Sequence, residues 1–173
     1  MLDRRIKKQR SNSMRDSYAG HEPQRAAACR EGQDVTSSDV PVEFGDLFTE
    51  AVVATVASVD GAGAPSVSPI WIEYRDGNVI FSTLERTLKR RNLAGNAAVA
   101  FCLLDPANPY RYVELRGVVI EMTSVGAHEH LDLMAGRYWG EESYPGHDYA
   151  AARSRVTAKI DRVNVEPPLD PAG

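Results

Sequence analysis

Polar and apolar residues divide this chain into a patternless leader and a long stretch of short, regular segments. Residues 1–38 are rich in Arg, Ser, Gln and Ala and show no sustained apolar period. Burial there is too small to offset the ordering of a chain, which predicts a disordered N-terminal extension. From residue 39 the pattern changes. Val42 to Thr49 places Phe44, Leu47 and Phe48 near one helical face. Ala51 to Val59 is a run of small and β-branched residues, the pattern of a buried strand. Asp60-Gly61-Ala62-Gly63 is a turn, and Pro65 to Tyr74 is a second strand. Pro69 removes a ladder donor, so that strand is expected to be an edge or bent there. Arg75-Asp76-Gly77-Asn78 reads as a hairpin turn into a third strand, Val79 to Ser82. Thr83 is the expected cap of a helix ending at Gly95-Asn96. Ala97 to Leu104 and Tyr110 to Met122 are the fourth and fifth strands, with Gly117 placed for a bulge. Val125 to Gly140 carries Leu131, Met134 and Tyr138 at helical spacing, and Arg155 to Val165 is the last strand.

Six strands with short turns and few intervening helices predict a mainly β fold, a small antiparallel barrel with peripheral helices. The expected organisation is an extension at 1–38, one domain at 39–166 and a tail at 167–173. Net charge sharpens this division. Residues 1–34 hold 8 Lys+Arg against 5 Asp+Glu, or +3; residues 35–173 hold 12 against 19, or −7. An acidic domain lacks the basic footprint that nucleic acid requires, so no nucleic-acid partner is expected. No run approaches the roughly 18 apolar residues of a membrane helix, so no membrane partner is expected either. The charged start is followed by no apolar run, which argues against a secretory signal. Cys29 and Cys102 suggest no disulfide framework, and the cytoplasm is the expected compartment. Cys102, in an apolar run, reads as a buried thiol.

Candidate chemistry is concentrated in one place. Arg86, Lys89, Arg90 and Arg91 fall within six residues of an otherwise acidic domain. On a helix, Arg86, Lys89 and Arg90 share a face. Ser82 and Thr83 precede them with hydroxyls. Hydroxyls at a helix start beside cations suit a phosphate, although the same residues also describe a solvated basic face. His128 and His130 diverge by about 200° on a helix, so they read as solvated and no metal site is expected. No triad, carboxylate pair or nucleophile elbow is present, and no side chain stands out as catalytic. An enzyme of this kind would leave its chemistry to a bound cofactor.

Three ordered segments carry a resemblance. The first is Ala54-Thr55-Val56 through Asp60-Gly61, then Pro65-Ser66-Val67-Ser68-Pro69-Ile70-Trp71. The second is Ile80-Phe81-Ser82-Thr83, then Lys89-Arg90-Arg91-Asn92-Leu93. The third runs from Asp105-Pro106-Ala107-Asn108-Pro109 through Tyr110-Arg111-Tyr112-Val113-Glu114 to Gly117. Together, over about residues 45–165, they resemble the pyridoxamine-phosphate-oxidase-like split barrels that bind FMN or the deazaflavin F420. The resemblance implies a homodimer with two cofactor sites at its interface and a small-molecule substrate. It implies that Ser68, Pro69, Ile70 and Trp71 border the cofactor ring. Ser82, Thr83 and Lys89 would meet its phosphate-bearing tail, with Arg90 and Asn92 in the same motif. Relatives often carry a basic residue where this chain has Thr87, and Arg86 is the expected substitute. The second and third segments resemble the F420 branch, with FMN as the alternative. The implied function is hydride transfer from reduced F420 to a small unsaturated or conjugated molecule. An FMN-dependent oxidase or reductase and a non-catalytic flavin- or haem-binding barrel are the alternatives.

Overall fold

The computed structural model describes residues 39–146 and 148–166. The expected disorder of 1–38 and the tail at 167–173 lie outside the described residues. After a 3-10 turn at Val42–Phe44, the elements are α1 (Asp46–Thr49), β1 (Ala54–Val59), β2 (Pro65–Ile70), β3 (Glu73–Arg75) and β4 (Asn78–Leu84). They continue with α2 (Leu88–Gly95), β5 (Ala98–Leu104), β6 (Tyr112–Thr123), α3 (Ala127–Trp139) and β7 (Arg153–Glu166). The strands form one antiparallel sheet of seven, in the order β2-β1-β5-β6-β7-β4-β3.

The class agrees with the pattern, but the strand count is seven, not six. The expected second strand divides at Trp71–Ile72 into β2 and β3. These two pieces occupy opposite edges of the sheet. Laid flat, seven strands would be about 29 Å wide. Two intervening residues let the Cα atoms of Ile70 and Glu73 lie at most ~11 Å apart. The chain itself therefore forces the sheet to curl until its edges face each other. Phe81 on β4 and Phe101 on β5, three strands apart in the ladder, meet with ring centroids 5.8 Å apart across the interior. Both are buried, together with Val56, Val79, Leu103, Val113, Leu115, Val156 and Ile160. Along β1, β5, β6 and much of β7 these residues alternate with more exposed ones, whereas β4, covered by α3, is buried on both faces.

The seam between β2 and β3 is stitched by a helix. Ile72 N–H, released from any ladder, donates to the Tyr138 hydroxyl of α3 at 3.3 Å, and that hydroxyl donates to Val52 C=O at 2.9 Å. Satisfying backbone polar groups in this way is what permits the strand to break where it does. Pro69 sits on an edge strand, as its missing N–H requires. The β3–β4 hairpin turns on Asp76 and Gly77, both with positive φ (51° and 73°), the conformation of a type I′ turn.

Local expectations needed two corrections. The cap of α2 is Thr87, whose Oγ1 accepts from Arg90 N–H; Thr83 remains in β4 and its hydroxyl bonds that of Thr87 at 3.0 Å. Cys102 is half-buried on the outer face of β5, since the alternation that buries Phe101 and Leu103 points its neighbour outward. Burial and the charge of Glu114 push its thiol pKa up. The Asp105–Arg111 loop has a firm structural task. Arg111 pairs with Asp46 at 2.7 Å and Asp105 at 3.0 Å, and lies over the Phe44 ring, tying the N-terminal helical segment to the barrel.

Gly117 marks a bulge, with the β6–β7 register slipping between Arg116 and Gly117. A Cβ there would stand 2.0 Å from Lys159 C=O, a backbone atom that has no room to yield. Gly117→Ala is expected to cost about 2–4 kcal/mol of stability, from overpacking against fixed backbone. Urea denaturation of the variant checks this.

Candidate functional site

At the seam, α3 lies over β4 and leaves a cavity of about 270 Å³ beside β2. Pro69, Ile70 and Trp71 form one wall, Ser82 the floor, and Leu131 and Met134 of α3 the other wall. Trp139, Tyr144, Arg153 and Val53, just before β1, complete it. The sequence predicted the first wall and Ser82. It gave no sign of the remaining lining, because those side chains come from α3, the loop after it and the start of β7.

An aromatic cluster shapes the mouth. Trp71 stacks on Tyr138 with centroids 5.0 Å apart and meets Trp139 edge-on at 4.5 Å. Trp139 in turn stacks on Tyr144 at 5.4 Å. Trp139 remains 55% exposed despite these contacts. An apolar, partly open wall of rings suits a planar conjugated ligand, whose faces it can stack against. The signal for this cluster was present in the sequence as Tyr138-Trp139 at a helix end, but only the fold brings it to Trp71.

One cation, Arg153, lines the cavity, and a second, Lys89, lies against its wall at Pro69. Lys89 Nζ reaches Pro69 C=O at 3.4 Å, and burial lowers its pKa. Arg153 lines the cavity with a buried Nε that has no partner among the described residues, and burial lowers its pKa too. A buried guanidinium donor without an acceptor fits an anionic group of a ligand.

The other residues of the predicted set are drawn into the fold. Asn92 is 5% exposed, and its amide donates to Ser58 Oγ at 3.2 Å and Ser66 Oγ at 3.1 Å, pinning α2 to β1 and β2. Arg90 pairs with Glu85 at 3.1 Å and donates to Ser154 Oγ at 3.0 Å. Thr83 is buried against Thr87, and Ser68 is half-buried on β2; neither lines the cavity. Arg86 precedes α2, so the basic face expected from Arg86, Lys89 and Arg90 on one helix is not formed. Among the described residues no cluster of His, Cys, Asp and Glu could hold a metal ion.

His130 is not solvated as its spacing suggested. It is 6% exposed, because α3 turns it down onto β4. Its Nδ1 lies 3.0 Å from Ser82 Oγ, and its Nε2 lies 3.5 Å from Glu73 Oε2. Ser82 Oγ also donates to Ala127 C=O at 2.9 Å. Burial lowers the imidazole pKa to about 4, against the opposing pull of Glu73.

The model of the pyridoxamine 5'-phosphate oxidase family matches residues 41–166, which includes every strand described above. The chain belongs to that family. Its members are flavin-binding oxidoreductases, and their cofactors are of the FMN or F420 type. A solved F420 reductase is 28% identical, with a TM-score of 0.65, over 72% of this chain and 98% of that one. A conserved hypothetical protein from Mycobacterium tuberculosis is 22% identical, with a TM-score of 0.60, over 82% and 97%. HupZ from Group A Streptococcus is 20% identical, with a TM-score of 0.56, over 76% and 98%. The last two show the shared fold alone. No curated protein matches the chain. Among the described residues no helix is long and apolar enough to cross a membrane.

The buried histidine gives this family member a defined acid response. Its native pKa near 4 lies below the ordinary 6.5, so the neutral ring is native. Between those values the unfolded chain takes up a proton that the native state refuses. The stability present above pH 6.5 should therefore fall by up to about 3 kcal/mol on descent to pH 4, then level off for this group. Urea denaturation across pH 4–7 is expected to show this slope, and His130→Asn is expected to flatten it. Asp46 and Asp105, whose pKa values Arg111 and local hydrogen bonds lower, lose their contributions only below that window.

Proposed function

We propose that this protein is an F420-dependent oxidoreductase that passes hydride from the reduced deazaflavin to a small unsaturated or conjugated molecule. The observation that carries this reading is the seam cavity, with an aromatic wall for a planar ring, Arg153 in its lining and Lys89 against its Pro69 wall as cations for an anionic tail. The likeness to the F420 reductase, at 28% identity over nearly all of that chain, favours the deazaflavin over FMN. When bound, the cofactor supplies the hydride. The protein supplies position, an apolar wall and exclusion of water.

In this reading Pro69, Ile70 and Trp71 orient the ring, and Lys89 and Arg153 hold the negatively charged part. Ser82 lies at the reacting end of the cavity. Ser68, Thr83, Arg90 and Asn92 serve mainly by fixing β2, β4 and α2 around the ligand, since the polar atoms of the last three already have partners. The second copy in a homodimer would cover the open mouth, and the cytoplasm is the expected compartment. FMN as cofactor is the second reading, because the same wall and cations accept its ring and phosphate.

Lys89→Ala is expected to weaken cofactor binding about ten- to a hundredfold, the loss of one charge-assisted hydrogen bond of roughly 1.5–3 kcal/mol. The fold should persist, because the ammonium anchors only through Pro69 C=O. Fluorescence titration of wild type and variant with F420 and with FMN measures both the loss and the preference. Tighter binding of FMN than of F420 would overturn the deazaflavin reading, and unchanged affinity in the variant would remove Lys89 from the site.

A further inference from the structure

The cavity floor is connected to a second hollow by a short polar chain. On the far side of His130 lies a more polar pocket of about 540 Å³, lined by Glu73, Arg75, Glu121, His130 and Arg155 among others. His130 stands between the two spaces. Its Nδ1 faces Ser82, which lines the seam cavity, and its Nε2 faces Glu73, which lines the outer pocket. The inner half of this chain is hydrogen-bonded, while Nε2 is buried without a partner among the described residues, a costly arrangement that calls for a group on the outer side.

The hydrogens in this chain have two consistent placements. Ser82 has one proton and two neighbours that can accept it. In the first placement Ser82 donates to Ala127 C=O, His130 donates from Nδ1 to Ser82 Oγ, and Nε2 is bare toward the outer pocket. In the second, Ser82 donates to Nδ1 and the Nε2 proton faces the outer side, where Glu73 Oε2 stands 3.5 Å away without a hydrogen bond to it among the described residues, so a small shift or a water must complete that link. The two differ by the position of a proton on a neutral ring and by one hydroxyl rotation. Passing from the first to the second, with the Ser82 proton given to the cavity and a new one taken at Nε2, carries a proton from the outer side to the inner side.

We propose that Glu73, His130 and Ser82 form a proton relay that delivers a solvent proton from the outer pocket to a substrate anion in the seam cavity. This rests on the oxidoreductase reading. Hydride addition to a conjugated molecule leaves an anion one proton short of product. That anion takes the Ser82 Oγ proton. Ser82 Oγ takes the Nδ1 proton of His130, and Nε2 takes a proton arriving through Glu73 from solvent. One O–H bond at Ser82 breaks and one re-forms, the ring stays neutral overall, and one solvent proton is consumed per hydride. After product leaves, water entering the open cavity protonates Ser82 Oγ as Ser82 returns its proton to Nδ1 and Nε2 releases one toward Glu73, which resets the chain. Ser82 is the group that touches substrate; His130 and Glu73 are positioning residues that act through it.

The charged groups around the ring agree with a neutral carrier. Glu73 and Arg75 face it from β3, Arg155 from β7 and Glu121 from β6, while α3 itself supplies Glu129 and Arg137. The three arginines disfavour a charged imidazole and Glu73 favours one, with burial deciding for the neutral ring.

The test uses the full chain and begins without cofactor. Nitrogen-15 NMR of histidine-labelled protein reads the tautomer of His130. Ser82→Ala removes the inner partner and should move the ring to the Nε2–H form. Glu73→Gln places an amide donor at the outer side and should move it to the Nδ1–H form. A tautomer unchanged in both variants overturns the relay. The second arm uses protein loaded with reduced F420 and cyclohexenone as the conjugated probe. Glu73 lies outside the cavity wall, so Glu73→Gln should leave cofactor affinity and KM in place. It should lower kcat about 10- to 100-fold, increase the solvent deuterium isotope effect and shift the pH profile. Wild-type kcat and isotope effect in Glu73→Gln overturn the relay as well. Absence of F420 binding in the wild type would instead overturn the cofactor reading, while the tautomer measurement still decides whether the proton chain exists.

Discussion

The two-residue link between β2 and β3 is the constraint on which this molecule is built. Ile70 ends one edge of the sheet and Glu73 begins the other, so only Trp71 and Ile72 span the gap. A sheet in a barrel is ordinarily closed by hydrogen bonds between its first and last strands. Here covalent continuity brings the edges together, and the missing ladder is replaced by Tyr138, which accepts from Ile72 N–H and donates to Val52 C=O. The interior contact of Phe81 with Phe101 follows from the same closure.

An unzipped seam leaves space, and that space is where the candidate site lies. Pro69 and Ile70 pair with β1 on one side, and with Trp71 they turn their unpaired edge and side chains toward a cavity. Pro69 suits this position because it has no N–H to leave unsatisfied. Trp71 faces α3 and collects Tyr138, Trp139 and Tyr144 around it. The helix that stitches the seam thus also builds the aromatic wall and carries His130 to the cavity floor. Stability and chemistry share one element, so changes to α3 are expected to affect both.

Charge is arranged with similar economy. Arg90 and Arg111 look equivalent to Lys89 and Arg153 as cations on a sequence, but their partners separate them. Arg90 is held by Glu85 and Ser154, and Arg111 by Asp46 and Asp105. Among the described residues Lys89 has only a carbonyl, and Arg153 Nε has no partner. Desolvated cations whose donors are not all taken by carboxylates are the ones positioned to bind an anion from outside the chain.

The periodicity of short apolar runs determined the β-rich class, the approximate place of every long strand, the hairpin at Asp76-Gly77 and the bulge at Gly117. These are local properties, set by side-chain alternation and by backbone angles that few residues adopt. The motif from Pro69 to Trp71 and the hydroxyl of Ser82 were legible for the same reason, since each lies within one segment. The break at Trp71–Ile72 was not legible, because alternation continues through it and only the curling of the sheet separates its two halves. Nor was the burial of His130, since helical spacing gives a direction around the axis but not which side meets β4. Asn92 and Arg90 were legible as members of the expected cofactor motif, but their partners on other strands are visible only in the fold. Arg153 lies some sixty residues beyond the basic cluster in the chain and enters the cavity only because β7 pairs with β4. Local geometry is written in neighbouring residues, whereas the pairing of buried polar groups depends on which distant segments the closed sheet brings into contact.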